Sequence, residues 1–340
     1  MDWIYWFIII SLIIISAWLL RKYYLDGPYF NKKRDLTGKT CIVTGSSSGI
    51  GKETAFDLLS NGASVIFACR DEQKTLAILN SIKNFEIRNR AIFLKLDLSN
   101  IDSIINFTKE FRKLNRNIDC LVNNAGFIAG SFHLNEGIES MLMCNYIGHK
   151  ILTLLLLDKF SKDDARIVNL TSIAYDWSTY DVKELHRLQE NLNFEGEGAK
   201  FEMFKQYGNS KLGMVLFTRY LVEKLAKDYP RVKISSNHPG NVITDVLRFL
   251  DDLNIIFKTL FQISYIFIYF CKSALAGAQN TLYYCYEDWE KLENGVYLCD
   301  LKSNKLSEKG TDQQIYNEFM KYSWLLVDKV TRDKVFVQRL

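Results

Sequence analysis

Tyr207 and Lys211, four residues apart in the run Tyr207-Gly208-Asn209-Ser210-Lys211, can act together on one proton. The run opens a helical pattern that continues through Leu212, Val215, Leu216, Tyr220 and Leu221, so both heads share a helix face and reach one site. A phenol, with its ordinary pKa near 10, works as an acid or base at neutral pH when nearby positive charge stabilises the phenolate, and Lys211 is suited to supply that charge. In a chain with 18 tyrosines the bare spacing should arise by chance about once or twice, so its company must decide. Ser172 ends a strand pattern, and Asn145 lies in a helical segment beginning near Asn135. A serine there can hydrogen-bond a carbonyl oxygen as charge develops on it, and an asparagine can hold a water on a proton path to Lys211. Taken singly, each serves equally well as a strand-end cap or a helix-bend residue.

A second constellation would hold a phosphorylated ligand beside the first. Thr44-Gly45-Ser46-Ser47-Ser48-Gly49-Ile50-Gly51 lies where the apolar run Cys41 to Val43 gives way to a helical pattern in Ile50, Thr54, Ala55, Leu58 and Leu59. Unpaired N–H groups at a helix start suit a pyrophosphate, and glycines remove the Cβ atoms that would hold it away. Standing alone, the stretch reads equally as an ordinary Gly/Ser-rich loop. About 19 residues on, the next strand ends in Ala68-Cys69-Arg70, where a dinucleotide fold inspects the adenosine ribose. Arg70 can pair with a 2′-phosphate, which favours NADP(H) over NAD(H), or else pair on the surface with Asp71 or Glu72. Asp97-Leu98 after the third strand is a clasp for an adenine edge, and Asn123-Asn124-Ala125-Gly126 after the fourth lets backbone approach a ligand.

Positioning these residues takes alternating strands and helices. The strand patterns are Thr40 to Thr44, Ser64 to Cys69, Ala91 to Leu96, Ile118 to Val122, Arg166 to Leu170, Lys233 to Ser236 and Gly295 to Cys299, with helical stretches between. This is the signature of βαβ units, and it predicts a Rossmann-type, doubly wound parallel sheet of seven strands with helices on both faces. No Pro- or Gly-rich linker divides the pattern, so residues 39–335 are expected to form a single domain. The net charge of +4 over 340 residues, with no basic tract, gives no reason to expect nucleic acid. Seven cysteines without CxxC pairs or nearby histidines read as reduced core thiols, with no metal site.

The uncharged run Trp3 to Leu20 is about 27 Å long as a helix, marginally enough to span a bilayer. Arg21, Lys22, Lys32, Lys33 and Arg34 follow it, so residues 1–25 are expected to be an uncleaved anchor and 26–38 a linker, with the folded domain in the cytosol. A cleaved signal peptide would want a basic side before the apolar run, whereas the early charge here is Asp2. Asn106-Phe107-Thr108 and Asn169-Leu170-Thr171 are discounted as glycosylation acceptors, because a cytosolic domain would not meet the transferase. Asp176 to Lys200 reads as a polar, acidic insertion beside the pocket. Leu253 to Cys271 is dense in Ile, Phe, Leu and Tyr, but Lys258 and Gln262 interrupt it too early for a membrane span.

In order and spacing, Thr44-Gly45-xxx-Gly49-x-Gly51, Asn123-Asn124-Ala125-Gly126, Asn145, Ser172, Tyr207-xxx-Lys211 and Pro239-Gly240 resemble the short-chain dehydrogenase/reductase family, over about residues 37–300. Ala68-Cys69-Arg70-Asp71, Ile167 to Ser172 and Asn237 to Asn241 look like its retinol dehydrogenase branch and the related WW-domain oxidoreductases, without a WW domain. The resemblance implies that Tyr207 is the acid/base, Lys211 lowers its pKa and binds the nicotinamide ribose, Ser172 orients the substrate and Asn145 completes the proton relay. It places the cofactor on Gly45, Ser46, Ser47, Ser48, Gly49, Ile50, Gly51, Arg70, Asp97, Leu98, Asn124, Ala125, Gly126, Tyr207, Lys211, Pro239, Gly240 and Val242. Residues 241–272 then form a cover over an apolar substrate, and its outer face can dip into a bilayer. Thr171 stands where the branch often has a second serine, and keeps the hydroxyl. The expectation is a membrane-anchored, NADP(H)-preferring oxidoreductase of the endoplasmic reticulum, facing the cytosol and open to homodimer formation. It would interconvert a lipophilic alcohol, most simply a retinoid, with its aldehyde or ketone. A steroid or fatty aldehyde is the rival substrate, and a cofactor-binding scaffold acting through protein partners the rival class.

Overall fold

A computed structural model of the chain describes residues 5–9, 11–12, 15–16, 26–194, 201–242 and 271–339. Eight strands form one sheet in the order β10-β9-β8-β7-β4-β1-β2-β3. These are β1 Thr40–Thr44, β2 Ser64–Cys69, β3 Ala91–Lys95, β4 Cys120–Asn123, β7 Ala165–Leu170, β8 Val232–His238, β9 Val296–Cys299 and β10 Lys302–Asn304. All pairings but β9–β10 are parallel. Successive residues of β1 and β2 enter different apolar clusters, Ile42 and Ile66 in one, Val43, Val65 and Phe67 in the other. Both faces of the sheet are therefore covered, which is why its strands read as unbroken apolar runs.

The seven expected strands are present, and β10 is an eighth. It pairs antiparallel with β9 after Asp300 and Leu301 turn the chain at positive φ, and its three exposed residues carry no apolar pattern to reveal it. A second correction falls before Asn145. Leu134–Asn135 (β5) and Ile138–Glu139 (β6) make a small hairpin around Glu136 (φ 52°) and Gly137 (φ 71°), so the helix starts at Ser140 rather than near Asn135. Glu139 fixes that start by accepting from Met141 N at 3.0 Å and Leu142 N at 2.8 Å. Within the supposed insertion, the helix Val182–Glu190 buries Leu185 and Leu188 and packs on the helix Gln313–Thr331.

The cover expected at 241–272 lies outside the described residues from 243 to 270. At its ends Val242 bridges Lys272, and Lys272 N donates to Asn241 O at 2.7 Å. Most of the apolar N-terminal run lies outside the described residues too. Residues 5–9, 11–12 and 15–16 are helical, and among the described residues no helix is long and apolar enough to cross a membrane. Cys41, Cys69, Cys120, Cys144, Cys285 and Cys299 form no disulfide.

Candidate active site

The order of the sheet reverses at β1, with β2 on one side and β4 on the other, so a crevice opens beyond the carboxyl ends of these strands. Thr44 ends β1 there. Its Oγ1 accepts from Asn124 N and Ala125 N, both at 2.9 Å, and ties the loop after β4 to the turn after β1. Asn124 returns the contact, donating Nδ2 to Thr44 O at 2.8 Å. The glycines make this approach possible. A Cβ on Gly51 would stand 2.3 Å from Asn124 Nδ2, and one on Gly45 (φ +68°) would stand 2.9 Å from Ala125 Cα. The small residues after β4 thus admit the neighbouring turn of the same chain, as well as any ligand.

The helix Gly49–Ser60 begins at Ser48, which makes no side-chain cap, and its first turn carries no acid. Ser46 is buried with Oγ 3.3 Å from Cys69 Sγ, which fastens the turn to β2, while Ser47 and Ser48 are half-exposed. This Cβ-free helix start suits a pyrophosphate. Arg70 is exposed at the end of β2. Asp71 does not pair with it but caps the next helix, accepting from Lys74 N at 2.9 Å. Asp97 accepts from Ser99 N and Oγ through Oδ1. A Cβ on Gly277 would meet both Val242 (2.6 Å) and Ile50 (3.2 Å), which brings Val242 near the helix after the glycine turn, and Gly240 (φ +86°) packs on the Lys272 side chain.

Tyr207 and Lys211 lie on one face of the helix Met203–Leu225, with Lys211 Nζ 5.5 Å from the tyrosine ring centroid. Gly208 lets that helix touch the turn after Ser172, since a Cβ there would meet Ala174 O at 2.6 Å. Gly213 does the same against the Tyr146 ring. Ser172, just after β7, caps the short turn Ile173–Trp177 by accepting from Ala174 N at 3.2 Å and lies close enough to Tyr207 to lower its pKa. Asn145 sits in a π turn, Met143–Ile147, a distortion that recurs at functional sites. Its side chain is committed: Oδ1 accepts from Phe127 N at 3.0 Å, and Nδ2 donates to Phe127 O at 3.0 Å and Ser210 Oγ at 3.1 Å. It braces the helix that carries Tyr207. A methyl at Gly126 would stand 3.3 Å from Asn145 Oδ1 and 3.5 Å from Lys211 Nζ, which brings the loop after β4 into the same centre.

Burial sets the charge states. It pushes the Tyr207 phenol up to about 12 against the opposing Ser172 contact, and Lys211 down to about 8. Burial thus outweighs any charge that Lys211 lends the phenol, and Tyr207 holds its proton at neutral pH. Lys211 Nζ donates to Leu170 O at 3.1 Å. Burial also raises the Cys144 thiol to about 12, with Asp97 adding to the shift and Arg70 and Lys211 opposing it. His149, absent from the sequence reading, joins this centre through Asn145 O at 3.0 Å and Thr44 Oγ1 at 2.9 Å. Its spacing of four from Asn145 was the available signal.

Residues 39–180 match the short chain dehydrogenase family model. Retinol dehydrogenase 13 of Mus musculus is 33% identical over 89% of this chain and 87% of its own length. Retinol dehydrogenase 12 of Mus musculus is 32% identical over 91% and 93%. The chloroplastic short-chain dehydrogenase TIC 32 B of Brassica napus is 33% identical over 86% and 89%. A short chain dehydrogenase from Burkholderia cenocepacia J2315, solved in complex with NADP, shares the fold with a TM-score of 0.57 at 23% identity, over 78% of this chain and 97% of its own.

Proposed function

Since the chain belongs to the short-chain dehydrogenase/reductase family, on its retinol dehydrogenase-like branch, and is an oxidoreductase of the alcohol dehydrogenase type, we propose that it reduces a lipophilic aldehyde or ketone with NADPH, most simply a retinal, at a membrane surface. The observation that carries this reading is the single face formed by Ser172, Tyr207 and Lys211 at the mouth of the crevice that the glycine turn opens. A bound nicotinamide would supply the hydride or accept it. Tyr207, protonated at neutral pH, gives its proton to the carbonyl oxygen, and Ser172 holds that oxygen as charge develops on it. In the oxidative direction the same phenol must take a proton, and the Lys211 ammonium lowers the cost of the phenolate.

Preference for NADP(H) is supported by Arg70, which is exposed just after β2 and has no hydrogen bond or ion pair among the described residues, leaving its guanidinium available to a phosphate. The membrane reading is supported by a convergence at one corner. Asp26 Oδ1 accepts from Ser273 N at 3.0 Å, one residue past the bridge of Val242 to Lys272, so the apolar stretches before 26 and after 242 are rooted together. The substrate on this reading is a small lipophilic carbonyl compound. The test is a panel of retinoids, steroids and medium-chain aldehydes with NADPH and NADH. Turnover of retinal with NADPH is expected, and no turnover of any lipophilic carbonyl with either cofactor would favour a scaffold instead.

A further inference from the structure

His149 is fully buried one turn after Asn145, on the helix Gly148–Leu155. Both ring nitrogens are engaged. Nδ1 faces Asn145 O at 3.0 Å, and because a carbonyl only accepts, Nδ1 carries the proton. Nε2 is then an acceptor, and Thr44 Oγ1, 2.9 Å away, must donate to it. That assignment fits the hydroxyl, whose two lone pairs already accept from Asn124 N and Ala125 N. Val122 O, at 3.3 Å, is a more distant claimant for the same proton. Burial holds the imidazole near a pKa of 3, so it stays neutral wherever the enzyme would work.

The histidine therefore closes a bracket between the two constellations. On one side Thr44 fixes the turn after β1 and the loop after β4, and on the other Asn145 braces Ser210 and stands against Gly126, which Lys211 also faces. We propose that His149 is a positioning residue that locks the cofactor seat at Thr44 to the proton-transfer face at Asn145, so that the two register with each other. An apolar replacement would free the Thr44 hydroxyl to turn to Val122 O, and the loop after β4 would lose its fixed partner.

The proposal rests on the reading of the glycine turn as a cofactor seat, and the experiment separates the two. NADPH and NADH affinities are measured by quenching of tryptophan fluorescence for the wild type, His149→Phe, His149→Gln, Thr44→Val and the double variant Thr44→Val with His149→Phe, alongside kcat and the KM for retinal. A wild type that binds neither cofactor sinks the seat, not the bracket. Loss of one such hydrogen bond should weaken NADPH binding in His149→Phe by about tenfold and lower kcat by a similar factor, while the KM for retinal holds. Glutamine carries a donor and an acceptor at its tip and should restore affinity to within about threefold. The double variant should be no worse than the poorer single one, because both break the same link. Unchanged affinity in folded His149→Phe, or multiplying losses in the double variant, overturns the proposal. If His149→Phe does not fold, His149→Asn replaces it. Its shorter side chain cannot span both partners, so an Asn variant that binds NADPH as well as the Gln variant also overturns the bracket.

Discussion

Two regions of the molecule each bury a lysine, and only one of them is equipped for chemistry. Lys211, in the cleft, is 5% exposed, and Lys150, beneath the helix Gln313–Thr331, is 0% exposed. Both lose basicity to burial, Lys211 to about 8 and Lys150 well below its ordinary value. Each has one close polar partner, Leu170 O at 3.1 Å for Lys211 and Ser323 Oγ at 2.7 Å for Lys150. The surroundings differ. Lys150 lies 4.1 Å from the Trp324 ring centroid and 5.7 Å from that of Tyr220, faces that attract a cation but transfer no proton. Lys211 faces the Tyr207 phenol, beside the loop after β4, where a Cβ on Gly126 would stand 3.5 Å from its Nζ. A depressed lysine pKa therefore marks burial in both regions, and a function only where a proton donor with an open side stands next to it.

The largest effect should come from the phenol that distinguishes the two. Tyr207→Phe is expected to lower kcat by about 100-fold or more while NADPH affinity stays within a few-fold, as read by turnover and fluorescence titration. Activity near that of the wild type would remove the chemical half of the comparison. Next comes Lys211→Met, expected to cost about 100-fold in kcat. In the wild type, retinal reduction should fall as pH rises through about 8, because above that value Lys211 loses the proton that makes it a charge near Tyr207. A pH profile of the Met variant should lack that limb, and a limb that persists assigns it to another group.

Arg70 extends the contrast to an exposed cation. Arg70→Ala should weaken NADPH binding by roughly 10- to 150-fold and leave NADH nearly unchanged. Lys52, near the glycine turn, can share the charge, so the decisive variant combines Arg70→Ala with Lys52→Ala. A preserved NADPH preference there would mean that the phosphate is read elsewhere. The smallest effect is expected for Lys150→Met, which keeps the length of the side chain and removes a costly buried amine. Turnover should stay within about twofold and the melting temperature should hold or rise by about 2–4 °C, a change of about 1 kcal/mol for a domain of this size. A tenfold loss of kcat would make the two lysines alike after all.

Much of this architecture could be read from residue order. Parallel strands buried on both faces must be apolar throughout, so β1, β2 and β7 announce themselves, and β1 and β2 begin and end at the expected residues. β10 stayed hidden because an exposed three-residue edge strand needs no apolar residue. The hairpin before Asn145 stayed hidden because two-residue strands carry no periodicity, and left-handed Glu136 is not a residue type that signals a turn. The corner where Asp26 meets Ser273, 247 residues apart, has no local signature at all.

Of the site, the sequence by itself determined the residue types and the short spacings: a phenol and an amine one helical turn apart, glycines where a strand becomes a helix, an arginine ending the second strand. These follow from local geometry, because helix period and strand length fix where neighbours in sequence point. Only the tertiary structure decided their charge states and the partners of the remaining polar groups. Desolvation is a property of everything packed around a group, so Tyr207 rises to about 12 although a lysine stands four residues away. Hydrogen bonds over long separations likewise depend on which loops meet, which is why the side chain of Asn145 turns out to be committed to Phe127 and Ser210. The same cause makes His149, one of four histidines in the chain, the link between Thr44 and the π turn.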